Sequence, residues 1–136
     1  MASLLNLKIV TPKGVIWSGV VNSVTLPGIE GELGVLPGHI PLATRISAGE
    51  LSVQQDTKNF FLAVGDGFVE IFHNNVNVLT DMAIQADGID EAQALLAQQQ
   101  AEARLKQQLS DEEMAAAQAA LAQSAALLRV KKTRVK

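Results

Sequence analysis

Between residues 27 and 42 the chain reads Pro27-Gly28-Ile29-Glu30-Gly31-Glu32-Leu33-Gly34-Val35-Leu36-Pro37-Gly38-His39-Ile40-Pro41-Leu42, with four glycines and three prolines in one run. Glycine reaches positive φ without strain, and proline fixes φ and removes a backbone donor, so no helix passes through such a stretch. The segment reads as a set of tight turns joining short strands at the end of a β-sandwich.

The flanking sequence supports strands on both sides. Val20, Val24 and Leu26 alternate with more polar neighbours, and Leu51 and Val53 alternate with Glu50, Ser52 and Gln54. Alternation at period two is the mark of a strand with one buried face. Phe68–His73 and Val76–Thr80 flank Asn74-Asn75, which predicts a hairpin turning on those two asparagines, because Asn tolerates the left-handed conformation. Pro12-Lys13-Gly14, Ser47-Ala48-Gly49 and Gly65-Asp66-Gly67 mark further turns. Many short strands at near-regular spacing predict a sandwich or barrel.

Farther out, the composition changes. All four prolines and all ten glycines lie at or before Gly88, and Ala, Gln, Leu and Glu dominate the remainder of the chain. This separation of helix breakers from helix formers predicts two units: a β-sandwich or barrel over 1–87, then an antiparallel two-helix hairpin over 88–136. Asp90 caps a first helix from about Glu91 to Leu109, and Ser110-Asp111-Glu112-Glu113 is a capping box that ends it and starts the second. Met114, Ala117, Leu121, Ala125 and Leu128 form one seam of the second helix; Ala92, Leu95, Leu96, Ala103 and Leu109 are the less regular apolar positions of the first. Alanines bury little area, so the hairpin is expected to be marginal and detachable.

Composition narrows the chemistry. The 136 residues are 48% hydrophobic and 18% charged with net charge −3, which is enough for a packed core and argues against a general nucleic-acid coat. Without cysteine there is no disulfide framework, thiolate zinc site or thiol catalysis, and two histidines leave little for a metal site. Aromatic residues are 4% and tyrosine is absent, so base-stacking platforms are not expected. Met1–Lys8 does not read as a secretory signal, and no run approaches the ~18 apolar residues of a spanning helix. No nucleophile elbow, zinc-protease helix or phosphate loop occurs. Gly65-Asp66-Gly67 reads as a turn, His73 as a surface residue, and Glu30 and Glu32 sit on a turn without bulk around them to desolvate a carboxyl group. The basic end, Arg129-Val130-Lys131-Lys132-Thr133-Arg134-Val135-Lys136, reads as a solvated helix terminus, with non-specific nucleic-acid binding as the alternative.

The ordered run from Gly28 to Leu42 resembles the signature of the epsilon subunit of F-type ATP synthases, close to G-x-x-G-x-[LI]-G-[VI]-L-P-x-H-x-P-L. Val10-Thr11-Pro12, Ile16-Trp17-Ser18-Gly19 and Asn77-Val78-Leu79-Thr80-Asp81 with Ala83 resemble the same family's flanking strands, and the likeness covers essentially the whole chain. It implies a non-catalytic rotor subunit that couples proton translocation to ATP synthesis and inhibits ATP hydrolysis. It also implies a flattened β-sandwich docked on the gamma subunit and facing the c-ring, and a mobile hairpin that reaches alpha and beta subunits.

Carried over, Glu30, Glu32 and His39 are the candidates for contact with the ring, with simple solvation as the alternative reading. Arg129, Lys131, Lys132, Arg134 and Lys136 are the candidate inhibitory contacts to acidic loops of beta. Some members bind ATP through [IL]-D-x-x-R-A. Here Ile89-Asp90-Glu91-Ala92-Gln93-Ala94 places Gln93 at the arginine position, so no ATP or other cofactor is expected. The implied location is peripheral, on the cytoplasmic face of a bacterial inner membrane within the synthase complex, without insertion into the lipid and without nucleic acid. A free-standing sandwich adaptor and a small acid-based enzyme are the rival readings.

Overall fold

Alternation of apolar and polar residues builds the first half. In β1 (Leu5–Thr11), Leu5, Leu7 and Ile9 are buried while Asn6 and Lys8 face out, and β8 (Gly67–Phe72) buries Val69 and Ile71 between exposed neighbours. The remaining strands are β2 (Gly14–Val21), β3 (Ser23–Gly28), β4 (Gly31–Val35), β5 (Leu42–Ile46), β6 (Gly49–Gln55), β7 (Lys58–Val64), β9 (Asn75–Thr80) and β10 (Ala83–Gln85). A 3₁₀ turn at Ala86–Gly88 leads to α1 (Glu91–Leu105) and α2 (Asp111–Arg134). The computed structural model describes residues 4–134.

The strands form one continuous sheet in the order β10-β7-β6-β3-β5-β8-β9-β1-β2, with β4 added to β3. Every pairing is antiparallel except β1 with β9. The sheet curls into a nearly barrel-shaped sandwich, so Leu7, Leu26, Leu51, Leu62, Ile71 and Val78 from different strands share one core. Trp17 of β2 and Phe60 of β7, with ring centroids 5.1 Å apart, help close it. The expected β-sandwich followed by two helices is therefore the observed fold.

Three local readings need correction. The β8–β9 hairpin turns on His73 and Asn74, not on Asn74-Asn75: Phe72 pairs with Asn75, and φ is 49° at His73 and 61° at Asn74. A two-residue turn with both φ positive matches the twist of its strands, and that match outweighs the preference for Asn at both positions. Val20 faces outward and Val21 inward, because β2 runs through Val21 before the chain bends at Asn22. Helix α1 stops at Leu105, with Gln107 N–H bonded to Arg104 C=O at 3.0 Å in a tightened last turn. Ser110 cannot both end α1 and cap α2: a cap is extended, and reversing direction takes several non-helical residues.

The capping assignments themselves hold. Asp90 Oδ1 accepts from Gln93 N–H at 3.1 Å, and Ser110 and Glu113 exchange side-chain-to-backbone bonds at 3.2 Å each. The α2 seam is largely the expected one, with Ala117 buried and Met114, Leu121 and Leu128 partly buried, whereas Ala125 and the expected α1 positions Ala92, Leu95, Leu96 and Ala103 are exposed. Helix α1 buries Ala94 and Ala101, leaving Leu95 and Leu96 exposed; α2 buries Ala117, Ser124, Ala126 and Val130, leaving Ala125 exposed. Ser124 is accommodated because its hydroxyl reaches the carbonyls of Ala120 and Leu121, at 2.9 and 3.0 Å. Alanine and serine win the seam because small side chains let the helix axes approach, whereas the larger leucines would hold them apart.

Candidate functional site

The signature run folds into two separate pieces. Strands β3 and β4 pair with Gly28 opposite Gly31, leaving Ile29 and Glu30 as a two-residue turn. Gly31 has φ of 125°, a conformation that side chains rarely adopt, so the turn itself requires glycine there. Glu30 and Glu32 are both exposed and line one open depression together with Leu33, Leu42 and Thr44. His39 does not join them. It lies half-buried in the loop between β4 and β5, with Nδ1 2.7 Å from the Ile40 carbonyl oxygen. A carbonyl only accepts, so Nδ1 carries the proton in this bond. The loop is tied to the β8–β9 turn by Gly38 N–H, which donates to Asn74 Oδ1 at 2.7 Å.

Apolar residues that the pattern reading passed over flank these groups. Ile29, Leu36 and Ile40 are exposed, Ile40 to 73%. On the outer face of β8 and β9, Phe68 lies directly opposite Leu79 and Phe72 follows on the same face, all three about half exposed or more. The signal was present in the sequence: if Val69 and Ile71 point inward, alternation sends both phenylalanines outward. Glu70, opposite Asn77, separates Phe72 from the Phe68–Leu79 pair on this face.

Helix α2 meets the sandwich along β6, β7 and the 3₁₀ turn. Val130 of α2 is fully buried with Ala63, Ala86 and Ile89, and Phe61, Ile84 and Leu127 pack around them. This cluster is much smaller than the sandwich core, so the attachment is the weaker of the two. Helical period divides the tail cations. Arg134 falls one turn beyond Val130 on its face and Lys132 on the far side, while Arg129 and Lys131 flank that face, Arg129 exposed and Lys131 half-buried. Arg134 pairs with Glu50 of β6 at 2.8 Å, the tail's one ion pair among the described residues. That bond holds the Arg134 guanidinium above its ordinary pKa. Lys136 lies outside the described residues.

Between the helices, Arg104 reaches Glu113 at 3.2 Å. The backbone and hydroxyl bonds from Ser110, and then Arg104, hold the Glu113 carboxyl below the usual glutamate value. A depressed folded pKa contributes stability that is present above the unfolded value and lost as pH falls through the folded one. Helicity of the hairpin, followed by circular dichroism, is therefore expected to be constant near neutrality and to decline below the ordinary glutamate range. Glu113→Gln is expected to flatten that decline.

Among the described residues, no cluster of three or more His, Asp or Glu could hold a metal ion, and no helix is long and apolar enough to cross a membrane. Residues 4–86 match the family described as "ATP synthase, Delta/Epsilon chain, beta-sandwich domain", and residues 87–132 match "ATP synthase, Delta/Epsilon chain, long alpha-helix domain". The chain belongs to the ATP synthase delta/epsilon chain family. It is 47% identical over 105 residues to the ATP synthase epsilon chain of Lawsonia intracellularis, covering 77% of this chain and 79% of the relative. Identity to the epsilon chain of Acidithiobacillus ferridurans is 43% over 129 residues, covering 95% and 92%. A chain in a structure of the Euglena gracilis mitochondrial ATP synthase shares the fold, with TM-score 0.75 at 24% identity over 91% of this chain and 79% of that one. Membership in the delta/epsilon family makes this a structural subunit of ATP synthase, not an enzyme in its own right.

Proposed function

We propose that this chain is a rotor element of the synthase, in which the sandwich couples gamma to the c-ring and the hairpin restrains ATP hydrolysis. The observation that carries the proposal is the asymmetry between a strongly cored sheet and a hairpin attached to it through the small apolar cluster around Val130. A rigid module transmits torque, and a weakly held one can shift between two packings. The exposed Phe68, Phe72 and Leu79 face suits the gamma subunit. Glu30 and Glu32, with His39 on its separate loop, suit the polar loops of the ring, where short rigid carboxylates can set register. Arg129, Lys131, Lys132, Arg134 and Lys136 suit acidic loops of beta, as a salt-sensitive contact. A chain in this role sits peripherally, on the cytoplasmic face of a bacterial inner membrane. The test is reconstitution into a synthase lacking its own epsilon, reading proton pumping and hydrolysis together. A complex that fails to pump once the chain is restored sinks the coupling role.

The same reading predicts weak or no binding of ATP to the hairpin. Asp90 is committed to capping α1, and Gln93 offers no guanidinium to phosphate. Calorimetric titration with ATP is expected to give no heat of binding in the micromolar range, and millimolar ATP should leave the thermal midpoint unchanged. Micromolar affinity contradicts this.

A further inference from the structure

Arg134 is already bound within this chain. Its Nε donates to Glu50 Oε2 and its Nη2 to Glu50 Oε1, both at 2.8 Å, a two-pronged pair. Its guanidinium carbon also lies 4.1 Å from the centre of the Phe61 ring. Sheet register produces this cup: Glu50 pairs with Ala63 and Ser52 with Phe61, so Glu50 and Phe61 are diagonal neighbours on the outward face of β6 and β7. On α2, Arg134 stands one turn beyond Val130, the residue that α2 buries fully against β7 and the 3₁₀ turn. A guanidinium fits both walls of the cup, a forked carboxylate contact and an aromatic face, where an ammonium would match one or the other.

We propose that Glu50 and Phe61 form an intramolecular receptor for Arg134, which holds α2 on the sheet and withholds this cation from the carboxylates of a neighbouring subunit. This rests on the reading that the tail cations act by meeting acidic loops. Release of the hairpin then exchanges one acidic partner for another instead of leaving a charge unpaired. The side chains of Arg134 and Glu50 remain 39% and 24% exposed, so the pair is screened by salt and modest in strength. Those are the properties of a catch that can open. Glu50 thereby biases the hairpin toward the docked state, although it lies far in sequence from the helices it controls.

The test uses the full chain, alone and in the synthase. In the isolated chain, Glu50→Gln is expected to speed amide exchange over residues 124–134 roughly three- to tenfold, as loss of a partly exposed bidentate pair implies. The unfolding midpoint of the sandwich should stay the same, and added salt should narrow the difference from the parent. Phe61→Leu, which keeps apolar bulk without the aromatic face, should fall between the two. In the synthase, Glu50→Gln should deepen inhibition by freeing Arg134. Arg134→Gln, which loses the carboxylate and aromatic contacts together, should loosen the docked hairpin at least as much but weaken inhibition. Unchanged exchange in both Glu50→Gln and Arg134→Gln overturns the receptor, whatever hydrolysis does. Faster exchange, with hydrolysis the same in the parent, in Glu50→Gln and in a chain cut after Gly88, instead overturns the inhibitory reading and leaves the receptor standing.

Discussion

A synthase assembled with residues 1–88 alone should hydrolyse ATP roughly fivefold faster or more than one carrying the whole chain, the lower end of ordinary allosteric coupling. It should still pump protons. The cut removes both helices but only the edge of the sandwich's packing. Leu7, Leu26, Leu51, Leu62, Ile71 and Val78 keep every strand partner they had, because their core is built by strands β1 to β10. What the sheet loses is the cover that Val130 and Leu127 provide over Ala63, Ala86 and Phe61. Its thermal midpoint should therefore fall only slightly. The division of labour fails if the truncated complex assembles but no longer pumps, or if its hydrolysis equals that of the full-length form.

Gly67→Ala should lower the stability of the sandwich by about 2–3 kcal/mol, the scale of overpacking against atoms that cannot move away. Gly67 begins β8, paired with Ile46 on one side and Thr80 on the other. A Cβ at this position would run into the Leu79 carbonyl oxygen and stand 2.8 Å from Thr80 Cα, both backbone atoms of the adjoining strand. That strand end is also fixed by the buried Thr80 hydroxyl, which lies 2.9 Å from Gly65 O and 3.1 Å from Asp66 O. Backing β9 away would strip those bonds. Gly34→Ala is the matched control. It is exposed on β4, a Cβ there would meet nothing within 4 Å, and its change should stay within about 0.5 kcal/mol. Urea titration of the two variants compares them directly, and equal midpoints would refute the steric account.

How far the sequence could be read depended on the range of the interactions involved. The Ser110–Glu113 box and the Asp90 cap were legible because each spans three residues and is closed by bonds local to the chain. The β8–β9 hairpin was legible as a hairpin, yet its turn lay one residue earlier, because strand twist and not Asn preference chose His73 and Asn74. On α2 the seam was legible, with Ala117 buried as expected, but on α1 the phase was misread: Ala94 and Ala101 face inward while Ala92, Leu95, Leu96 and Ala103 are exposed. The signature was recognised as a unit, but its acids and its histidine part company: Glu30 and Glu32 border one depression, and His39 turns back on its own loop.

By itself the order of residues determined a β-rich half followed by a helical half, the helix caps and the family likeness, all of which are written in neighbours a few positions apart. The wrapping order of the strands, the pairing of β1 with β9 and the meeting of Glu50 with Arg134 were settled only when distant segments came together. Eighty-four positions separate that last pair, and no local pattern announces it. Propensity and capping act over one or two turns of chain, whereas which carboxylate receives a given arginine is a property of two surfaces after both have formed.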